Sequence, residues 1–162
     1  MTEKIPFGEL DGKFIFKTQP NPICGDLRPF WRIGLIVLML DELGHGGAAS
    51  LEKVHVINWA LRSEESRNTF MRIIENGLES DDCIVRFEPA LNRALQFASQ
   101  EKIIELRTLS SGGMTMSLTE QGRKMAASLN KIDDIYSEEK VFFSRMKGKV
   151  SQQNITKLLN WR

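Results

Sequence analysis

The chain of 162 residues has little of what most catalytic or membrane-bound proteins need. It has two cysteines, Cys24 and Cys83, far apart and without a second Cys or a His at ligand spacing. That excludes a disulfide framework and a thiolate metal site, and it predicts two reduced structural thiols. The longest apolar run, Ile33 to Leu40, is far too short to span a bilayer. The first residues, MTEKIPFGELDG, place charges and a proline where a secretion signal needs an apolar run, so the chain reads as cytoplasmic. Asn154-Ile155-Thr156 then fits a glycosylation acceptor by pattern alone. Net charge is +1, with no polycation signature of a protein that coats DNA or an anionic membrane. Repeats and low-complexity tracts are absent.

Catalytic motifs are missing as well. There is no GxSxG elbow, no HExxH and no nucleophile close to a histidine in sequence. Asp81-Asp82 and Asp133-Asp134 are paired acids, but a two-metal site needs further carboxylates from other elements. Gly44-His45-Gly46-Gly47 lacks the Lys and Ser/Thr of a phosphate-binding loop and comes after a helix, so it reads as a helix stop. The expectation is a non-enzyme with no cofactor, no metal and no small-molecule substrate.

What is present is a strong helical pattern. Residues 1–27 read as an irregular arm with a short strand at Lys13 to Lys17, which packs on its own domain or on a partner. A helix from about Leu27 to Leu43 is apolar nearly all round and is therefore central. Ser50 caps a helix over Leu51 to Leu61, and Ser63-Glu64-Glu65 opens a third that ends near Gly77. His55 lies within the second helix and reads as a structural histidine.

Phe87 to Leu129 then runs helix, strand, tight loop, strand, helix. Glu88 to Gln100 repeats Leu91, Ala94, Leu95 and Ala98 on one face. Ile103 to Thr108 alternates, Ser110 to Gly113 supplies a turn, and Met114 to Leu118 returns. Thr119 can cap the next helix. This is the second half of a winged helix. The predicted fold is mainly α with a small β-hairpin. It divides into an N-terminal arm (1–27), a winged-helix domain (28–130) and a C-terminal helical extension (131–162).

From Glu120 to about Lys147 the apolar positions Met125, Leu129, Ile132, Tyr136, Phe143 and Met146 approach a heptad seam. A continuous helix there would be roughly 40 Å long. Alternatively Ser137, with two acids directly after it, caps a separate helix. A short helix from Ser151 to Asn160 ends the chain, just before Trp161. Arg123 to Arg162 carries nine Lys/Arg against four Asp/Glu, a modest basic bias.

In a winged helix the helix before the hairpin can enter the major groove. Here its outer side offers Asn92, Arg93, Gln96, Ser99 and Gln100. Arg93 and Gln96 are the candidate base readers; Lys102, Arg107, Arg123 and Lys124 are candidate phosphate contacts. That face is nearly neutral, which favours protein over DNA. Phe14, Phe16, Tyr136, Phe143, Leu158, Leu159 and Trp161 supply apolar surface beyond a minimal domain and are the candidate partner interface.

Four pieces, RIGLIVLMLDEL, SLEKVHVINWALRS, ALNRALQFASQEKIIELR and MSLTEQGRKMA, together resemble the small middle subunits of bacterial ABC-three-component, Lamassu-type anti-phage systems. The resemblance covers about residues 28 to 130. It implies a non-catalytic winged-helix accessory subunit. Its partners would be an SMC-like ATPase and an effector nuclease of the same operon, with DNA reached through the complex. The alternative is a winged-helix transcriptional regulator.

Overall fold

The computed structural model describes residues 29–77 and 88–159. The arm, Cys24, Cys83, Asp81-Asp82 and Trp161 lie outside them. The fold is mainly helical with one small antiparallel sheet. No helix among the described residues is long and apolar enough to cross a membrane.

Helix α1 (Pro29–Leu43) is buried over an unbroken run from Arg32 to Leu40. With no polar face to leave in water, it must be surrounded. It touches α4 (Pro89–Gln100), α5 (Glu120–Asn130) and α6 (Ser137–Met146), and it also meets the sheet. Helix α2 (Leu51–Ala60) starts at Ser50, whose hydroxyl accepts the Lys53 N–H at 3.1 Å. Helix α3 (Glu64–Asn76) starts the same way at Ser63, with two acids in its first turn. Helix α7 (Gln152–Leu159) packs on α2.

The sheet has the order β1-β3-β2: β1 (Ala48–Ser50), β2 (Ile104–Thr108) and β3 (Met114–Leu118). The predicted hairpin is present, with Ile104 opposite Leu118 and Thr108 opposite Met114. Strand β1 was not anticipated. Its three residues, Ala48, Ala49 and Ser50, are too few to show a period of two, and they follow the helix stop at Gly44 to Gly47, with Ser50 read as a cap.

Thr119 caps α5 as expected, accepting from the Gly122 N–H at 3.1 Å. Gly122 sits directly against the backbone just ahead of β2 and against Leu118 of β3. A Cβ there would overlap the Ile103 carbonyl oxygen and approach Leu118 Cδ2 to 3.1 Å. Gly122→Ala is expected to cost about 1–3 kcal/mol, because backbone must move to admit one methyl. Urea unfolding of the purified variant measures it, and an unchanged midpoint would contradict this packing.

The continuous helix from Glu120 to Lys147 is not formed. Helix α5 stops at Asn130, and α6 begins at Ser137 after a turn. Tyr136, the residue before α6, has φ +57°, which no helix interior allows. Its hydroxyl donates to the Trp31 carbonyl at 2.7 Å, and its ring lies 5.5 Å from that of Trp31. Gly34 leaves the space for that ring, since a Cβ at Gly34 would overlap the Tyr136 hydroxyl. Burial, helped by the Glu139 charge, pushes the phenol up to about 12, so it remains a donor. Two helices therefore pack on α1 in turn. Their apolar positions fall in phase without forming one seam.

Helices α6 and α7 both contribute to the core. Phe143, Met146 and Ile155 are fully buried in the same cluster as Ile36 and Leu40.

Candidate functional site

Helix α4 presents the most distinctive outward face. Leu91, Ala94, Leu95 and Ala98 are buried and hold it on α1. The opposite side exposes Arg93, Gln96, Phe97 and Gln100. Phe97 is 50% exposed, an aromatic ring in the middle of a face otherwise made of amides and one cation. Phe97 falls outside the Leu91-Ala94-Leu95-Ala98 stripe, so its exposure was readable from spacing and was missed. Asn92 is exposed beside them, as expected, and its side chain also hydrogen-bonds His55.

The start of α4 is fixed by a part-buried ionic cluster. Glu88 accepts from Arg32 at 2.8 Å and Asn58 at 3.2 Å, and it pairs with Arg62 at 2.8 Å. Arg32 also donates to Asn58 at 3.3 Å. Burial alone would push the Glu88 carboxyl up. The hydrogen bonds from Arg32 and Asn58, and the charges of Arg32 and Arg62, outweigh it and hold the carboxyl below its ordinary range. His55 is shifted down by burial, against opposing pulls from Asn92 and Glu88, so its neutral form is favoured. The cluster ties α1, α2 and α4 together and sets the angle of the exposed face.

The predicted nucleic-acid contacts do not form one basic surface. Arg107 pairs with Glu105 at 2.9 Å, and Lys124 pairs with Glu120 at 2.7 Å. Arg123 donates to the Gly46 carbonyl at 2.9 Å. Among the described residues no ion pair involves Arg93 or Lys102. Those two exposed cations are a small counterion term for duplex binding.

The predicted partner interface divides. Phe143 is completely buried and Tyr136 nearly so; both are structural, and neither offers a surface. Leu158 is buried and Leu159 packs against the core. Their helical spacing marked an inner face that was read as an outer one. Phe14, Phe16 and Trp161 lie outside the described residues. The large apolar side chains that are exposed include Phe30, Phe97, Ile132, Ile135 and Val141.

The grooves on the described surface include two beside these elements. The larger, about 770 Å³, runs between β1, the hairpin tip and the start of α7. Its polar groups are committed to one another. Lys53 donates to the Leu43 and Val150 carbonyls at 2.6 and 3.0 Å. Ser50 donates to Gln152, and Gln152 donates to Glu52. The smaller, about 530 Å³, lies between α3 and α6, where Arg67 pairs with Glu138 at 3.0 Å. Asp133 and Asp134 are exposed in the turn before α6, and among the described residues no three potential metal ligands converge.

Comparison of the chain with protein-family models, with curated proteins and with solved structures finds no match.

Proposed function

We propose that this chain is a non-catalytic accessory subunit that works by holding other proteins, and that its core is a winged helix. The sheet order β1-β3-β2, with α4 directly ahead of the hairpin, supports the winged-helix reading. The observation that carries the function is Phe97, a half-exposed ring at the centre of the α4 face. A helix whose job is to enter the major groove draws its affinity from phosphate neutralisation around it. Here the surrounding cations are few, and most are paired or bonded within the domain. Exposed aromatic rings are enriched at the cores of protein–protein interfaces.

The four sequence pieces that resemble Lamassu-type middle subunits suggest the partners. These are an SMC-like ATPase and an effector nuclease of the same operon, working in the cytoplasm. In that reading the ATPase engages DNA, and this subunit bridges to the effector or gates it.

Co-purification of the tagged full chain with its operon neighbours tests the reading. The wild type is expected to bring down both at fixed stoichiometry. Phe97→Asp is expected to lose at least one of them while changing stability by no more than about 0.5 kcal/mol, as exposed positions do. A wild type recovered without a stoichiometric partner would overturn the proposal. So would tight, sequence-specific duplex binding that is steeply salt-dependent and lost in Arg93→Ala with Gln96→Ala. That second outcome is the signature of a transcriptional regulator.

A further inference from the structure

Strand β2 is an edge strand, since β3 lies between it and β1. Its ladder to β3 uses alternate residues. The Leu109 N–H donates to the Gly113 carbonyl, and the Thr119 N–H donates to the Ile103 carbonyl. With Ile104 opposite Leu118, these bonds place Glu105 and Arg107 on the ladder side. The backbone groups of Ile104, Leu106 and Thr108 therefore point away from the sheet. Among the described residues no backbone bond outside the ladder reaches them.

Natural edge strands are blunted by shortness, by proline, by a bulge or by charged side chains, lysine above all. Strand β2 has no proline, and its register with β3 is continuous. It does carry charge, but of both signs: Glu105 and Arg107 lie two apart on one face, both exposed, and pair with each other at 2.9 Å. Such a pair is self-complementary. When two copies of the strand pair antiparallel about a two-fold axis at Leu106, Glu105 falls opposite the partner's Arg107. Arg107 in turn falls opposite the partner's Glu105. These are the close, non-hydrogen-bonded positions, where opposite charges stabilise and like charges repel. Leu106 then faces its own counterpart, with the two backbone bonds of a hydrogen-bonded pair.

We infer that the β2 edge is a homotypic interface, through which two copies of this chain join their sheets across a two-fold axis. The occupant is a second copy because the Glu105–Arg107 pattern is complementary to itself across a two-fold axis. The seam is short, since Ile104 is buried and closes one end. Association is therefore concentration-dependent. It uses a different surface from the α4 face and stands or falls separately from the proposed function.

Sedimentation equilibrium of the full chain tests it, from the micromolar range to about 1 mM. The wild type is expected to show a monomer–dimer equilibrium. Leu106→Pro removes an N–H that the β3 ladder does not use, so the fold is expected to persist and the dimer to be lost. Arg107→Glu sets acids opposite acids and is expected to weaken association about tenfold. Glu105→Arg combined with Arg107→Glu restores complementarity and is expected to return association to about the wild-type level. Thermal melting of each variant confirms that the domain is intact. A wild type that stays monomeric throughout would overturn the inference. So would association indifferent to Leu106→Pro, or a double reversal that fails to rescue. A monomer throughout is the result expected if the edge instead takes a strand from a different protein.

Discussion

Phe143→Ala is expected to destabilise the domain by about 3–5 kcal/mol, the cost of emptying a large aromatic site in a packed core. Phe143 is fully buried, and its ring meets Phe142 edge-on at a centroid distance of 6.0 Å. Phe142 in turn lies 6.0 Å from Phe70 of α3. The cavity would thus open where α6 joins the rest of the core, and no neighbouring side chain can fill it without leaving its own contacts. For a domain of this size the melting temperature should fall by about 10 °C or more. Calorimetry of the isolated variant reads this directly. A change under about 0.5 kcal/mol, the ordinary value for a surface site, would place Phe143 outside the core.

Glu88→Ala is the second large effect. Arg32 is almost wholly buried, and Glu88 is its charged partner at 2.8 Å. Removing the carboxylate leaves a guanidinium out of water with only part of its compensation. The expected loss is about 3 kcal/mol, at the low end for a broken buried pair because Glu88 keeps some solvent contact and Arg32 keeps Asn58. Acid should produce a related loss in the wild type. The folded-state pKa of Glu88 lies below its ordinary 4.5, so its contribution is complete above that value and drains as pH falls through the folded one. His55 acts in the same direction at higher pH. Its folded-state pKa lies below the ordinary 6.5, so the unfolded chain takes the proton first and stability begins to fall under pH 6.5. Urea unfolding at pH 7.5, 5.5 and 4 should therefore show two declines. Glu88→Gln should remove the lower one and leave the upper one. Stability that stays level from pH 7.5 to 4 would rule out this account of both groups.

Local chemistry made most elements legible. The cap serines Ser50 and Ser63, the cap at Thr119 and the turn before Met114 each act through their own backbone, and the elements begin where those residues predict. Proline in the first turn of α4 did the same. What could not be read from spacing was set by contacts distant in sequence. The break before α6 was one of two alternatives in the sequence, where Ser137 and its two acids offered a separate helix; Tyr136 rather than Ser137 proves to be the cap residue, held by Trp31 and Gly34 more than a hundred residues away. Strand β1 exists because β3 is there to pair with it. The same limit applies to the surface. An apolar position at helical spacing announces that something covers it, but Phe143 and Leu158 are covered by this chain rather than by another. The ionic cluster at Glu88 brings together Arg32 of α1, Asn58 of α2 and Arg62 of the turn after α2. Each of these, alone, reads as an ordinary polar residue.

The composition of the core dictates the order in which it is assembled. Helix α1 is among the first elements to be made, yet its buried run is closed by Phe143, Met146 and Ile155, which come about a hundred residues later. At synthesis speeds of about 5–20 residues per second, an apolar helix with no hydrophilic face waits roughly ten seconds before its lid is made. During that interval the nascent chain is a natural client for chaperones at the ribosome. Slower translation of the segment between α5 and α7 would lengthen its exposure and lower the yield of folded protein.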